Sequence, residues 1–117
     1  MSGAVSTITD DQFSAEVLEG EKPVIVDFWA AWCPPCRVMD PLMAQLADER
    51  PDLHFVKIDV DSNQRTSAQY GVLSMPTLLV FRAGQEVLRL VGSRPKQRLV
   101  DELEAAIGPR AVTVATA

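Results

Sequence analysis

Both cysteines of this chain lie in one short motif, Trp32-Cys33-Pro34-Pro35-Cys36-Arg37. Cysteine chemistry runs through the thiolate, which is the form that attacks disulfides and binds metals. An inert staple gains little here, because closing so short a loop contributes only roughly 2 kcal/mol in the chain-entropy account. A structural zinc ion wants four ligands, and the chain offers two cysteines and one histidine, His54. No metal is therefore expected. Reversible thiol–disulfide exchange needs only the pair and a place that activates one thiol. A strand-like run before the motif and a helix-like run after it supply that place.

The activation follows from helix-end physics. With Cys33 as N-cap, Pro34 and Pro35 take the first two helical positions, where a missing N–H costs little. An N-cap side chain accepts from the second or third amide of the helix. Pro35 has none, so the Cys36 amide is the natural donor to the Cys33 sulfur. The positive end of the helix dipole adds to it. This arrangement predicts Cys33 outward and ionisable, with Cys36 one turn inward and protonated by burial.

Asp27 interrupts the most apolar run of the chain, Val24-Ile25-Val26-Asp27-Phe28-Trp29. A carboxylate there is desolvated and its pKa rises. It could exchange a proton with Cys36 near neutral pH. It could also be a structural partner of Lys57 on the next strand, and the two readings are compatible. Trp32 precedes the first cysteine at an exposed turn and could be a substrate platform. Trp29 reads as core or support. Met75-Pro76 enters a strand directly, either as a plain strand start or as a cis peptide beside the cysteines.

These residues need a frame. Thr9 and Gln12 read as a capping box opening a helix over 10–19, with Phe13, Val17 and Leu18 inward and Gly20 as the stop. The continuously apolar 24–29 run suits a central strand covered on both faces. A helix over 35–49 carries Met39, Leu42, Met43, Leu46 and Ala47 at helical spacing, with Pro41 inside it as an expected kink. Residues 55–60 form a second strand. Asn63 caps a short helix toward Tyr70, stopped by Gly71. Residues 77–81 and 87–91 pair as a hairpin about Ala83-Gly84-Gln85. Residues 93–95 open a last helix with Leu99, Val100, Leu103, Ala106 and Ile107 inward. A short strand over 5–8 comes first. The fold class is α/β: a central mixed sheet of four to five strands flanked by four helices, with the first strand–helix–strand right-handed and parallel.

The 117 residues suit one domain, taken as 1–108, with a frayed tail over 109–117. The formal net charge of −5 argues against nucleic acid or an anionic membrane as partner. No apolar run reaches the length of a membrane span. The first ten residues lack a basic start and an apolar stretch, so a cytoplasmic location is expected. One small acidic domain suggests a monomer.

The motif and its surroundings resemble the thioredoxin family over about residues 5–107. The likeness rests on Val26-Asp27-Phe28-Trp29-Ala30, Trp32-Cys33 and Pro35-Cys36-Arg37, with Pro41, Lys57, Tyr70-Gly71, Met75-Pro76-Thr77, Gly84 and Gly92 as further landmarks. The resemblance implies a thioredoxin fold and no cofactor. It implies Cys33 as attacking nucleophile, Cys36 as resolving thiol, Asp27 as handler of the Cys36 proton and Lys57 as its modulator. It implies a cis Pro76 facing the cysteines, and a docking patch bordered by Trp32, Met75, Pro76 and Gly92. Disulfide-containing proteins would be substrates and a thioredoxin reductase the electron donor.

Pro34 departs from the pattern, since the common family motif has glycine there. Proline removes an amide and narrows the conformations of Cys33, and Pro34 with Pro35 should tune the redox balance of the loop. A disulfide reductase is the first reading. An oxidase or isomerase of higher potential, and a non-redox binding module, are the alternatives.

Overall fold

The computed structural model describes residues 5–109. Five strands form one mixed sheet in the order β1-β3-β2-β4-β5. They are β1 (Ser6–Thr7), β2 (Val24–Trp29), β3 (His54–Asp59), β4 (Thr77–Arg82) and β5 (Gln85–Val91). β1, β3 and β2 run parallel, while β4 and β5 are antiparallel to their neighbours. The helices are α1 (Pro34–Glu49), α2 (Gln64–Gln69) and α3 (Lys96–Ile107). The expected tail over 109–117 falls almost wholly outside the described residues.

Strand alternation sorts the side chains into two cores. Val24, Val26 and Phe28 of β2, Val56 and Ile58 of β3, and Leu79 and Phe81 of β4 face one way, against Phe13, Val17 and Tyr70. Ile25, Phe55, Leu78 and Val80 face the other way, against Met39, Met43 and Leu46 of α1 and Leu99, Leu103 and Ile107 of α3. Each such side chain contributes about 1.5–3 kcal/mol on burial. β2 is thus covered on both faces and hydrogen-bonded on both edges, as its apolar run predicts. Asp27 falls on the face beneath α1.

The first helical segment departs from expectation. It is a 3₁₀ turn over Asp10–Gln12 followed by a π-helical stretch over Ser14–Leu18. The Gln12 half of the capping box forms, with Thr9 N–H donating to Gln12 Oε1 at 2.9 Å. Phe13 and Val17 are buried as periodicity requires. Beyond them, Gly84 brings the hairpin turn against this segment. A Cβ there would stand 3.2 Å from the Leu18 carbonyl, a close approach that apolar periodicity does not encode.

Asn63 stands at the N-cap of α2, yet its side chain does not cap it. It accepts instead from the Asp10 amide at 2.9 Å and donates to the Asp59 carbonyl at 3.1 Å. The cap comes from across the fold: Asp10 accepts from the Thr66 amide at 2.9 Å, the Thr66 hydroxyl at 2.6 Å and the Arg65 amide at 3.2 Å. Burial raises the Asp10 pKa, but the Thr66 and Arg65 hydrogen bonds outweigh it and leave the carboxyl below its ordinary value. Helix α1 runs unbroken through Pro41.

Two stability tests follow from these contacts. Asp10→Ala should lower unfolding free energy by about 1–2 kcal/mol in urea titrations, the usual cost of a lost cap. Ala83 and Gly84 form the hairpin turn with φ of 51° and 79°, a geometry that favours Asn-Gly. Ala83→Asn should therefore stabilise the protein by about 0.5–1 kcal/mol in the same assay; a loss of stability would contradict the turn assignment.

Candidate active site

Strand β2 ends at Trp29, and α1 begins at Pro34 after four intervening residues. The connection from β2 to β3 leaves on one side of β2, and β4 lies on the other. That switch point at the carboxyl end of a strand is where open α/β sheets place their sites. Cys33 is the N-cap of α1 and Pro34 and Pro35 open the helix. The Cys36 amide donates to the Cys33 sulfur at 3.2 Å and lies 3.1 Å from the Cys33 carbonyl oxygen. With no N–H at 34 or 35, it is the one first-turn amide within reach of that sulfur. The capping predicted from the motif is therefore present.

Cys33 and Cys36 are joined as a disulfide, with Cα atoms 5.3 Å apart. The burial of Cys33 corrects one expectation. It was placed outward at the cap, whereas both cysteines are only 2% exposed. The cause lies forty residues on. The Met75–Pro76 bond is cis, and the Met75 carbonyl oxygen lies 3.4 Å from the Cys33 sulfur. Pro76 is buried, and its carbonyl accepts from the Gly92 amide at 2.8 Å. Pro76 and Gly92 are thereby tied together, with the Met75 carbonyl over the cysteines.

Around this point the surface is apolar. Trp32 is 63% exposed. Its indole nitrogen donates to Asp61 Oδ2 at 2.9 Å, which holds the ring in place. Arg37 reaches back to the Ala31 carbonyl at 3.0 Å. Leu73, two residues before Met75, is 93% exposed, and Val91, beside Gly92, is also exposed. Exposed apolar residues gathered near a reactive centre mark an interaction face. Leu73 and Val91 escape sequence reading, because neither interrupts a pattern.

Arg94 lies outside every motif of the sequence. It is buried, donates to Glu102 at 2.7 and 2.8 Å, and reaches the Val91 carbonyl at 2.7 Å. It thereby fixes the backbone on which Gly92 sits. Glu102 lies on α3, and this pairing leaves it half-buried.

Asp27 is 1% exposed, and its Oδ1 has no hydrogen-bond partner. In the sheet it lies between Lys57 of β3 and Leu78 of β4. Burial pushes its pKa up to about 7; the Asp40 carboxylate adds to the rise and Lys57 opposes it. The Lys57 ammonium sits over the Trp29 ring at 5.2 Å from its centre, a cation–π contact. Asp27, Asp40 and Lys57 line a cleft of about 230 Å³ with Val5, Met43 and Ala44. Trp29 supports the cluster and is half-buried, as expected. His54 begins β3 and lies 3.2 Å from Glu16; it stands apart from this cluster.

A cysteine pair at a helix N-terminus, under a cis-proline loop at the switch point of a mixed sheet, defines a thiol–disulfide oxidoreductase. Comparison with known proteins agrees. The thioredoxin family model matches residues 4–105. A thioredoxin of Streptomyces clavuligerus is 45% identical over 100 residues, covering 86% of this chain and 94% of that protein. A thioredoxin of Mycobacterium tuberculosis H37Rv is 44% identical over 105 residues, covering 89% and 90%. One of Pyropia yezoensis is 42% identical over 105 residues, covering 89% and 98%. The chain belongs to the thioredoxin family, and its Cys33–Cys36 pair is a redox-active disulfide.

The Asp27 carboxyl carries a pH dependence of stability. Its folded pKa of about 7 lies above the ordinary carboxylate value. The folded state is therefore fully favoured below about pH 4 and loses stability as pH rises through 7. Asp27→Asn removes the penalty. We expect it to be more stable than the parent by on the order of 2–4 kcal/mol at pH 8 and nearly equal at pH 4. Thermal unfolding at the two pH values measures this; equal gains at both would refute the buried-charge origin.

Proposed function

We propose that this protein reduces disulfides in other proteins. The single observation that carries this reading is the donor set around Cys33. A strongly oxidising dithiol needs its reduced thiolate heavily stabilised. Here both amides ahead of Cys36 are replaced by prolines, leaving one backbone donor to the sulfur. So sparse a donor set favours the disulfide form of the protein and hence electron donation.

In this reading Cys33 attacks the substrate disulfide and forms a mixed disulfide, releasing one substrate thiol. Asp27 accepts the Cys36 proton. The Cys36 thiolate then attacks the Cys33 sulfur, closing the Cys33–Cys36 disulfide and releasing the second substrate thiol. Two electrons pass to the substrate, and two protons complete its thiols. Lys57 modulates Asp27, and Pro34 and Pro35 set the redox balance. Trp32, Met75, Pro76 and Gly92 border the face that receives the extended substrate chain. A thioredoxin reductase returns the electrons, in a cycle that contributes to electron transport and redox homeostasis.

No helix among the described residues is long and apolar enough to cross a membrane. The family and the acidic, compact chain support a cytoplasmic monomer, with 1–108 as its single domain. Protein disulfides, rather than small ones, fit the breadth of the apolar face around Trp32.

The test is turnover of a model protein disulfide with a thioredoxin reductase and NADPH. The parent should reduce it, and Cys33→Ser should fall to the uncatalysed rate. Cys36→Ser should accumulate a mixed disulfide through Cys33, visible by mass spectrometry. A parent without turnover, or a Cys36→Ser variant that traps nothing, refutes the proposal. A potential well above that of the glutathione pool would point to an oxidase instead.

A further inference from the structure

Asp40 stands one helical turn beyond Cys36 on α1, and its side chain is exposed. With Met43 and Ala44 it forms a stripe at helical spacing along one wall of the cleft that contains Asp27 and Lys57. At the other side of that cleft, Asp27 Oδ1 is buried and without a hydrogen-bond partner. An unpartnered buried carboxyl oxygen on a residue that lines an open cleft calls for an explanation, and a proton held or passed there supplies one. Two carboxyl groups and one ammonium therefore share one small space.

We propose that Asp40 is a positioning residue for proton transfer in the exchange reaction: its carboxylate, acting across the cleft, holds the proton on Asp27 and so sets the pH at which Cys36 can be deprotonated. The proposal rests on the reading of Asp27 as the base for Cys36. Like charges sharing a site disfavour the second ionisation. Asp40 from α1 thus opposes ionisation of Asp27, and Lys57 from β3 favours it. The other described residues that line the cleft or flank Asp27 in the sheet are uncharged: Met43 and Ala44 on α1, Leu78 on β4, and Val5 before β1.

The chemistry at stake is the second step. The Cys36 proton passes to the Asp27 carboxylate, and the resulting thiolate attacks the Cys33 sulfur of the mixed disulfide. The bond from Cys33 to the substrate sulfur breaks, and the substrate leaves as a thiolate that solvent protonates. A more proton-retentive Asp27 postpones the first of these events to higher pH. Asp40 would then keep the enzyme slower in acid than its cysteine motif alone requires.

The experiment uses the intact protein carrying thionitrobenzoate as a mixed disulfide on Cys33. Release by Cys36 is followed by stopped flow across pH, and the Asp27 titration is followed by side-chain carboxyl NMR. Asp40→Asn should move both midpoints toward acid by about half a pH unit. Asp40→Glu should restore them, and Lys57→Gln should move them the opposite way. In an Asp27→Asn background, Asp40→Asn should leave the release profile unchanged. An Asp27 midpoint that Asp40→Asn does not move overturns the proposal, and so does a shift in release that survives in Asp27→Asn. Failure of the underlying reading has its own signature: Asp27→Asn alone would then release thionitrobenzoate with the parent's pH profile, and the proposal would fall with it.

Discussion

Everything at this site hangs on the confinement of β2. The strand is hydrogen-bonded to β3 on one edge and β4 on the other, and helical segments cover both of its faces. Its backbone has no freedom to shift, because any slip in register would turn its buried set toward the wrong layer. What emerges from its end is therefore held rigidly. The Trp29-to-Pro34 turn starts from that fixed point, and the N-terminus of α1 inherits its position. A helix dipole aimed at a sulfur is useful only if the helix cannot swing away.

The same confinement creates the chemistry of Asp27. A carboxyl on an exposed strand would be hydrated and permanently ionised at neutral pH. In the middle of β2 it loses its water, and its protonated form becomes competitive near pH 7. The protein gives up folding stability at that residue, and the apolar side chains that surround it offset the loss. Strongly shifted groups of this kind cluster at functional sites. The cation–π contact between Lys57 and Trp29 keeps a positive charge close by without drawing it fully onto the carboxyl.

The opposite wall is assembled from loops, and hydrogen bonds hold it as well as apolar burial. Pro76 is joined to Gly92 through one backbone bond. Gly92 is in turn fixed by Arg94 and Glu102, and Trp32 is fixed by Asp61. Pro76 and Gly92, and Trp32 and Asp61, come from different stretches of chain. The cysteines thus sit on a rigid floor beneath a rim that is tied separately.

Much of this was legible in the residues. The apolar run of β2, the helical spacing of Met39, Met43 and Leu46, and the Ala83-Gly84 turn each report local physics, and the elements lie within a residue or two of expectation. The proline-flanked cysteine cap was legible for the same reason, since capping is decided within one turn of helix. Asp27 declared itself by contrast with its neighbours. What the sequence alone could not decide was which distant groups would meet. Asn63 has the chemistry of a cap, but Asp10 occupies the helix end. Cys33 has the position of an exposed residue, but the Met75 carbonyl covers it. Asp40 and Arg94 are ordinary surface types until the fold brings them to the cleft and to the Gly92 loop. Periodicity and capping act over a few residues, so they are written in the chain. Desolvation and contacts between distant segments arise only when the layers close, so the tertiary structure alone decided them.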